Sequence, residues 1–275
     1  RNVVFLKLPR CKMPYRWAEP LPPFRSCLSE LTEAEPAASG LPELVLRGAL
    51  SGDEVAEQSW LTSAFIDIVM RKFARTYSST TFMPIEFAAY SLRDGSTRED
   101  MAAARDILGR PVDYAEGKPF VLPFIQNNHW QLLRVQLDPV PELQLFEPMG
   151  KPAKRGGGGG GISARYIPKQ VFRWLNAMYP LGEDGVAAAD GWPYAASTSA
   201  AAAAGVGEGG GGWMRRSFSA VTRQQQQTGF DCGVASLLYA EKCGQGQLRE
   251  DIDEYTTQGD LTLYRRLLRD YSESL

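Results

Sequence analysis

The chain has 275 residues, 44% of them hydrophobic and 11% aromatic, with a formal net charge of −2. That composition fits a globular protein with a sizeable core, and the near-balanced charge gives no global pull toward nucleic acid or an anionic membrane surface. No apolar run approaches the ~20 residues that a membrane-spanning helix needs.

In chain order, residues 1–50 are Pro-rich and include Pro20-Leu21-Pro22-Pro23. They read as an irregular N-terminal arm ahead of a single domain over 51–275. The first residue is Arg rather than Met, so the sequence reads as a fragment of a longer protein whose targeting segments are not included. From Trp60 to Phe73, apolar residues recur at spacings of three and four, which predicts a helix. A second helix is predicted over Asp100–Leu108, ended by Gly109 and Pro111. Phe120–Ile125 is a short apolar run with the character of a buried strand. Trp130–Leu137 has strand composition, Asp138-Pro139-Val140-Pro141 marks a turn, and Leu143–Phe146 begins a return strand. His129 thus opens one arm of a predicted hairpin and Glu147 closes the other. Six glycines, Gly156–Gly161, suit only a loop. Helical spacing returns over Ile167–Tyr179. Residues 181–214 are rich in Ala and Gly and have too little large apolar surface to offset ordering entropy, so they read as a low-complexity insertion. A short strand is expected over Phe218–Val221, a helix over Gly233–Lys242, and an amphipathic helix over Asp260–Tyr271.

The four cysteines, Cys11, Cys27, Cys232 and Cys243, contain no C-x-x-C pair, and His129 is the only histidine. These residues make neither a zinc set nor a disulfide framework, and they suit a reducing compartment, nucleus or cytoplasm. They do suit thiol chemistry. A thiol is mostly protonated at neutral pH, and the thiolate is the nucleophile. Cys232 lies at the start of the Gly233–Lys242 helix, where the dipole and free N–H groups favour an anion. His129 is the one imidazole that can take its proton and return it to a leaving amine. Glu147 is the acid expected to orient that imidazole through Nδ1; Asp138, in the hairpin turn, is the only nearby alternative. Gln226, six residues before Cys232, offers a side-chain N–H to an oxyanion beside the Cys232 backbone N–H. The run Gln224-Gln225-Gln226-Gln227 leaves the register of that glutamine open.

Four blocks carry a resemblance. They are Ser59-Trp60-Leu61-Thr62-Ser63, Asn128-His129-Trp130-Gln131-Leu132, Leu145-Phe146-Glu147-Pro148-Met149-Gly150 and the Gln226–Gly233 stretch ending Asp231-Cys232-Gly233. Together they resemble the ubiquitin-like-protein-specific cysteine proteases, the deSUMOylating family, and also the adenovirus endopeptidase. The resemblance spans about residues 50–275 without the 181–214 insertion. It implies an α/β (α+β) papain-like fold of the adenain type: a central mixed sheet flanked by helices, with the nucleophile at a helix N-terminus. It also implies a cysteine peptidase that cuts after the Gly-Gly C-terminus of a ubiquitin-like modifier, SUMO-type first, acting as a monomer on the modifier and its conjugates without metal or organic cofactor. Trp60 and Trp130 correspond to the aromatic walls of a narrow tunnel for the two glycines, although Trp60 also suits a core anchor of its helix. Most cellular members carry Asp where this chain has Glu147. Two other functions use the same residues: a modifier-binding module without catalysis, and an acetyltransferase of a related clan.

Overall fold

The strongest apolar runs of the sequence become the middle of a five-stranded mixed sheet. The computed structural model describes residues 24–29, 55–56, 58–83, 85, 118–136, 141–150, 217–219, 224–247, 249–254 and 256–274. The helices expected over Asp100–Leu108 and Ile167–Tyr179, the glycine run, the 181–214 insertion and most of the N-terminal arm lie outside these residues.

The strands run β1 (Thr81–Phe82), β2 (Phe120–Gln126), β3 (His129–Gln136), β4 (Glu142–Phe146) and β5 (Ser217–Ser219), in that spatial order. The three central strands are antiparallel neighbours, while β1 joins β2 and β5 joins β4 in parallel. Pro123 sits inside β2 without breaking the sheet. β1 pairs only with Phe120 and Val121, so the missing N–H of Pro123 falls past the end of that ladder. Between β2 and β3 the turn residues Asn127 and Asn128 have φ of 54° and 57°. Two consecutive positive φ values mark the mirror-image turn that matches strand twist, and Asn tolerates it better than other side chains. The closing pair is Gln126 and His129, so His129 is delivered by the turn itself.

Helix α1 covers Ser63–Thr76 and begins after Thr62, whose hydroxyl accepts from the Phe65 N–H at 3.3 Å. The expected start at Trp60 is therefore corrected: this cap leaves Trp60 and Leu61 outside the helix. Helix α2, Cys232–Gly244, is buried along its whole length and packs on β3, α1 and the C-terminal helix. A helix with no solvent face needs small and apolar residues all round, as Val234, Ala235, Leu237, Leu238 and Ala240 supply. Each end meets other elements at a glycine. A Cβ on Gly233 would stand 3.1 Å from the Leu61 Cβ, and one on Gly244 would stand 2.7 Å from Phe82 and 2.8 Å from Tyr77. Helix α3 covers Arg249–Glu254 and α4 covers Gln258–Ser274. Thr257 and Asp260 cap α4 reciprocally: the Thr257 N–H donates to the Asp260 carboxylate at 2.7 Å, and the Asp260 N–H donates to the Thr257 hydroxyl at 3.3 Å.

Residues 24–29, within the expected arm, are docked on α2. Cys27–Ser29 form a 3-10 turn. The buried Glu241 carboxylate accepts from the Ser26 hydroxyl at 2.8 Å and the Cys27 N–H at 2.7 Å. It also accepts from the Tyr77 and Tyr264 hydroxyls at 2.8 and 2.7 Å. Four donors satisfy a charge that would otherwise be costly to bury.

Candidate active site

Strand register brings the base and the acid together. Leu132 pairs with Phe146, so the rung beyond it sets Gln131 beside Glu147, and His129 lies two residues further along the same face of β3. Glu147 is fully buried, with Oε1 2.5 Å from His129 Nε2. Its Oε1 also accepts from the Met149 N–H at 3.1 Å, and its Oε2 accepts from the Gln131 side-chain amide. The carboxylate is thus held by three donors from two segments, in the manner of a ligand with one orientation. The contact lies at Nε2, which corrects the expectation of an acid at Nδ1. Nε2 is committed to Glu147, so Nδ1 is the ring nitrogen available to exchange a proton with sulfur.

Cys232 is the first residue of α2, and its thiol and the His129 ring each shift the other's titration. Burial alone would push its thiol up. The bond to His129, the backbone N–H groups of Trp130 and Gly233 and the imidazolium charge outweigh that, and the thiol lies below its ordinary range. For His129, burial alone would lower basicity. Hydrogen bonds to Cys232 and Glu147, with the negative charge of both, raise it from 6.5 to about 9. Each partner therefore favours the charged form of the other: the thiol shifts toward thiolate and the ring toward imidazolium. The other two buried cysteines behave oppositely: burial pushes both Cys27 and Cys243 up to about 12. Burial thus favours the neutral thiol at both, and Cys232 is the one described cysteine shifted toward the thiolate.

The glutamine run resolves in space. Gln225 is tied into the core: it accepts from the Tyr239 hydroxyl at 2.5 Å and donates to the Asp253 carbonyl at 3.0 Å. Gln224 and Gln227 are exposed. Gln226 is buried, its Nε2 donates once, to the Thr228 carbonyl at 2.6 Å, and its Oε1 has no partner. An amide nitrogen has two N–H groups, so one of them remains unspent. The Pro148 carbonyl accepts from both the Gln225 and Gln226 N–H, at 3.0 and 2.9 Å, and ties this run to the Glu147 segment.

The two tryptophans differ. Trp130 is 4% exposed, and its indole N–H donates to the Leu61 carbonyl at 3.1 Å. Trp60, next to Leu61, is 50% exposed, which removes the core-anchor alternative. Leu61 itself lies against Gly233, so Trp60 stands one residue from the floor of the nucleophile. Asp138 lies outside the described residues. Gln131 and Arg265 were not singled out from the sequence. Gln131 had a signal in its place two residues after His129 on one strand face. Arg265 had one in its place between Leu261, Tyr264 and Leu268 on the apolar stripe of α4, where a charge needs a reason.

Among the described residues no group of three His, Cys, Asp or Glu could hold a metal ion, and no helix is long and apolar enough to cross a membrane. No family model matches the sequence, and no curated protein matches it. Solved structures do match. One is the SUMO protease Ulp1 with its catalytic cysteine oxidized to a sulfenic acid: TM-score 0.53, 12% identity, 90% of this chain and 98% of that one covered. Another is the C-terminal Ulp1 protease domain in complex with Smt3, the yeast ortholog of SUMO: TM-score 0.51, 12% identity, 83% and 93% covered. At this identity the likeness establishes architecture: the chain has the mixed α/β fold of the Ulp1 SUMO proteases.

Proposed function

We propose that the chain is a cysteine peptidase that cuts peptide or isopeptide bonds after the Gly-Gly C-terminus of a ubiquitin-like modifier, of SUMO type. The single observation that carries this is the buried Glu147 carboxylate against His129, whose ring and the Cys232 thiol at a helix N-terminus each shift the other toward its charged form. The Cys232 thiolate attacks the glycine carbonyl, and the oxyanion is held by the Cys232 backbone N–H and the unspent N–H of Gln226. The His129 imidazolium then gives its proton to the departing amine, leaving a thioester on Cys232. Neutral His129 next takes a proton from water and the hydroxide adds to the thioester carbonyl; collapse expels the Cys232 thiolate and frees the modifier's carboxylic acid, which loses its proton to solvent, so the thiolate–imidazolium pair is restored. Glu147 keeps the ring in place throughout. Exposed Trp60, with Trp130 behind it, forms the aromatic side of a passage that admits residues without a Cβ. The structure of the Ulp1 domain with Smt3 supports a modifier as partner. Action as a monomer on the modifier and its conjugates is part of the same proposal.

The test is covalent capture by a modifier carrying a C-terminal electrophile. The wild-type chain should be labelled and Cys232→Ala should not. Equal labelling of both would remove Cys232 as nucleophile. Binding of the modifier without turnover of a modifier fusion would leave a binding module rather than an enzyme.

A further inference from the structure

Arg265 is a cation buried in α4, 4% exposed, on a face otherwise made of Leu261, Tyr264, Leu268 and Tyr271. Its guanidinium reaches two segments that are more than 170 residues apart in sequence. Toward the segment before Trp60, Nη1 donates to the Ala56 and Ser59 carbonyls, both at 3.0 Å. Toward the segment before Cys232, Nη2 donates to the Phe230 carbonyl at 3.0 Å, and Nε donates to Asp231 Oδ1 at 2.9 Å. The plane also lies over the Phe230 ring, 5.4 Å from its centroid. Asp231 is the residue immediately before the nucleophile, and its side chain does not cap α2. Its Oδ2 instead accepts from the Thr228 hydroxyl at 2.6 Å and the Gln258 amide at 2.8 Å. The carboxylate thus points away from the helix end and into α4.

We propose that Arg265 is a positioning residue: it locks the Trp60 segment and the Cys232 segment into one unit, so the exposed aromatic wall and the nucleophile keep a fixed separation. The planar fork is what makes this possible: it meets four acceptors on two segments, whereas an ammonium has three donors on a single atom. Asp231 is the anchor for the fork on the nucleophile side. Its charge, which would oppose a neighbouring thiolate, is neutralised by the same contact. The proposal rests on the peptidase reading for its functional consequence.

The experiment uses the full chain as wild type, R265M, R265K, Trp60→Ala and the Trp60→Ala/R265M double variant. Two readouts are taken: kcat/KM on a modifier fusion, and amide hydrogen exchange over residues 58–61 and 229–233. R71M, which breaks only the Arg71–Asp67 pair one turn apart on α1, serves as control. R265M should lower kcat/KM by about 10- to 100-fold, the scale of a reacting group displaced by an ångström. R265K should recover part of that loss. With Trp60 already removed, R265M should cost no more than about threefold, because the group being positioned is gone. Equal losses in the two backgrounds would overturn the proposal. Exchange should rise in both segments together in R265M and in neither in R71M; a rise in one segment alone would also overturn it. If the wild type turns over no modifier fusion, the peptidase reading fails by itself, and the exchange result decides on Arg265. If R265M does not fold, R265K is judged by the same two criteria.

Discussion

Substituting Glu147 by Gln would expose the electrostatics of the site most directly. The change keeps the shape and removes the charge. His129 has been raised from 6.5 to about 9, which corresponds to roughly 3 kcal/mol in favour of the imidazolium. Cys232 and Glu147 are the two partners responsible. If Glu147 supplies about half, its loss removes about 1–2 kcal/mol, and the alkaline limb of kcat/KM falls by about one pH unit. The sign follows from the chemistry. Activity needs the imidazolium to protonate the leaving amine, so it is lost as pH rises through the His129 value, and a less stabilised imidazolium loses its proton earlier. Hydrogen bonding adds a second effect. Glu147 accepts from His129 and Met149 at one oxygen and from Gln131 at the other. A glutamine there keeps one acceptor and turns an NH2 toward a donor, so stability should also drop, by about 1–3 kcal/mol. The assay is kcat/KM on a modifier fusion between pH 5 and 10, with urea unfolding alongside. An alkaline limb that stays near 9 in E147Q would refute the electrostatic coupling between Glu147 and His129, even if the rate fell.

Two further substitutions probe neighbouring parts. Gln226→Ala should reduce kcat by about 10²–10³-fold with little change in KM, as expected for an oxyanion donor. Gln225→Ala should instead lower stability by about 1–3 kcal/mol, because the Tyr239 hydroxyl loses its acceptor. Steady-state kinetics and thermal melts on both variants separate the two, and equal kcat losses would count against Gln226. Gly233→Ala puts a methyl 3.1 Å from the Leu61 Cβ, an atom with no rotamer to escape by, and should cost about 1–3 kcal/mol. The same push displaces the Leu61 carbonyl from the Trp130 indole. An unchanged urea midpoint would show that Leu61 does not sit tightly on the helix.

Much of this was legible in the residues. The apolar run at Phe120 and the period-three-and-four pattern of α4 became a central strand and a helix because burial acts on those periods directly. His129, Glu147 and Cys232 were marked by type and order, and β3–β4 pairing carried two of them to one place. What escaped depends on direction rather than type. Which imidazole nitrogen meets the carboxylate depends on ring orientation, which no spacing encodes. The separation of Gln225 from Gln226 needed the position of the Tyr239 hydroxyl, on an element not adjacent in sequence. The placement of Trp60 outside α1 turned on whether Thr62 or an earlier residue capped the helix, a difference that local propensity does not resolve. Asn127-Asn128 was a turn signal that could have been read, since paired positive φ values favour Asn.

The glycines that close α2 at its two ends have a mechanical consequence. The helix is 13 residues long, about 20 Å, and is pressed at Gly233 by Leu61 and at Gly244 by Phe82 and Tyr77. Neither end has room for a side chain: any residue other than glycine would have to move Leu61 at the sulfur end, or Phe82 and Tyr77 at the other. The seating of the helix that carries the sulfur therefore depends on two methyl groups that are not there.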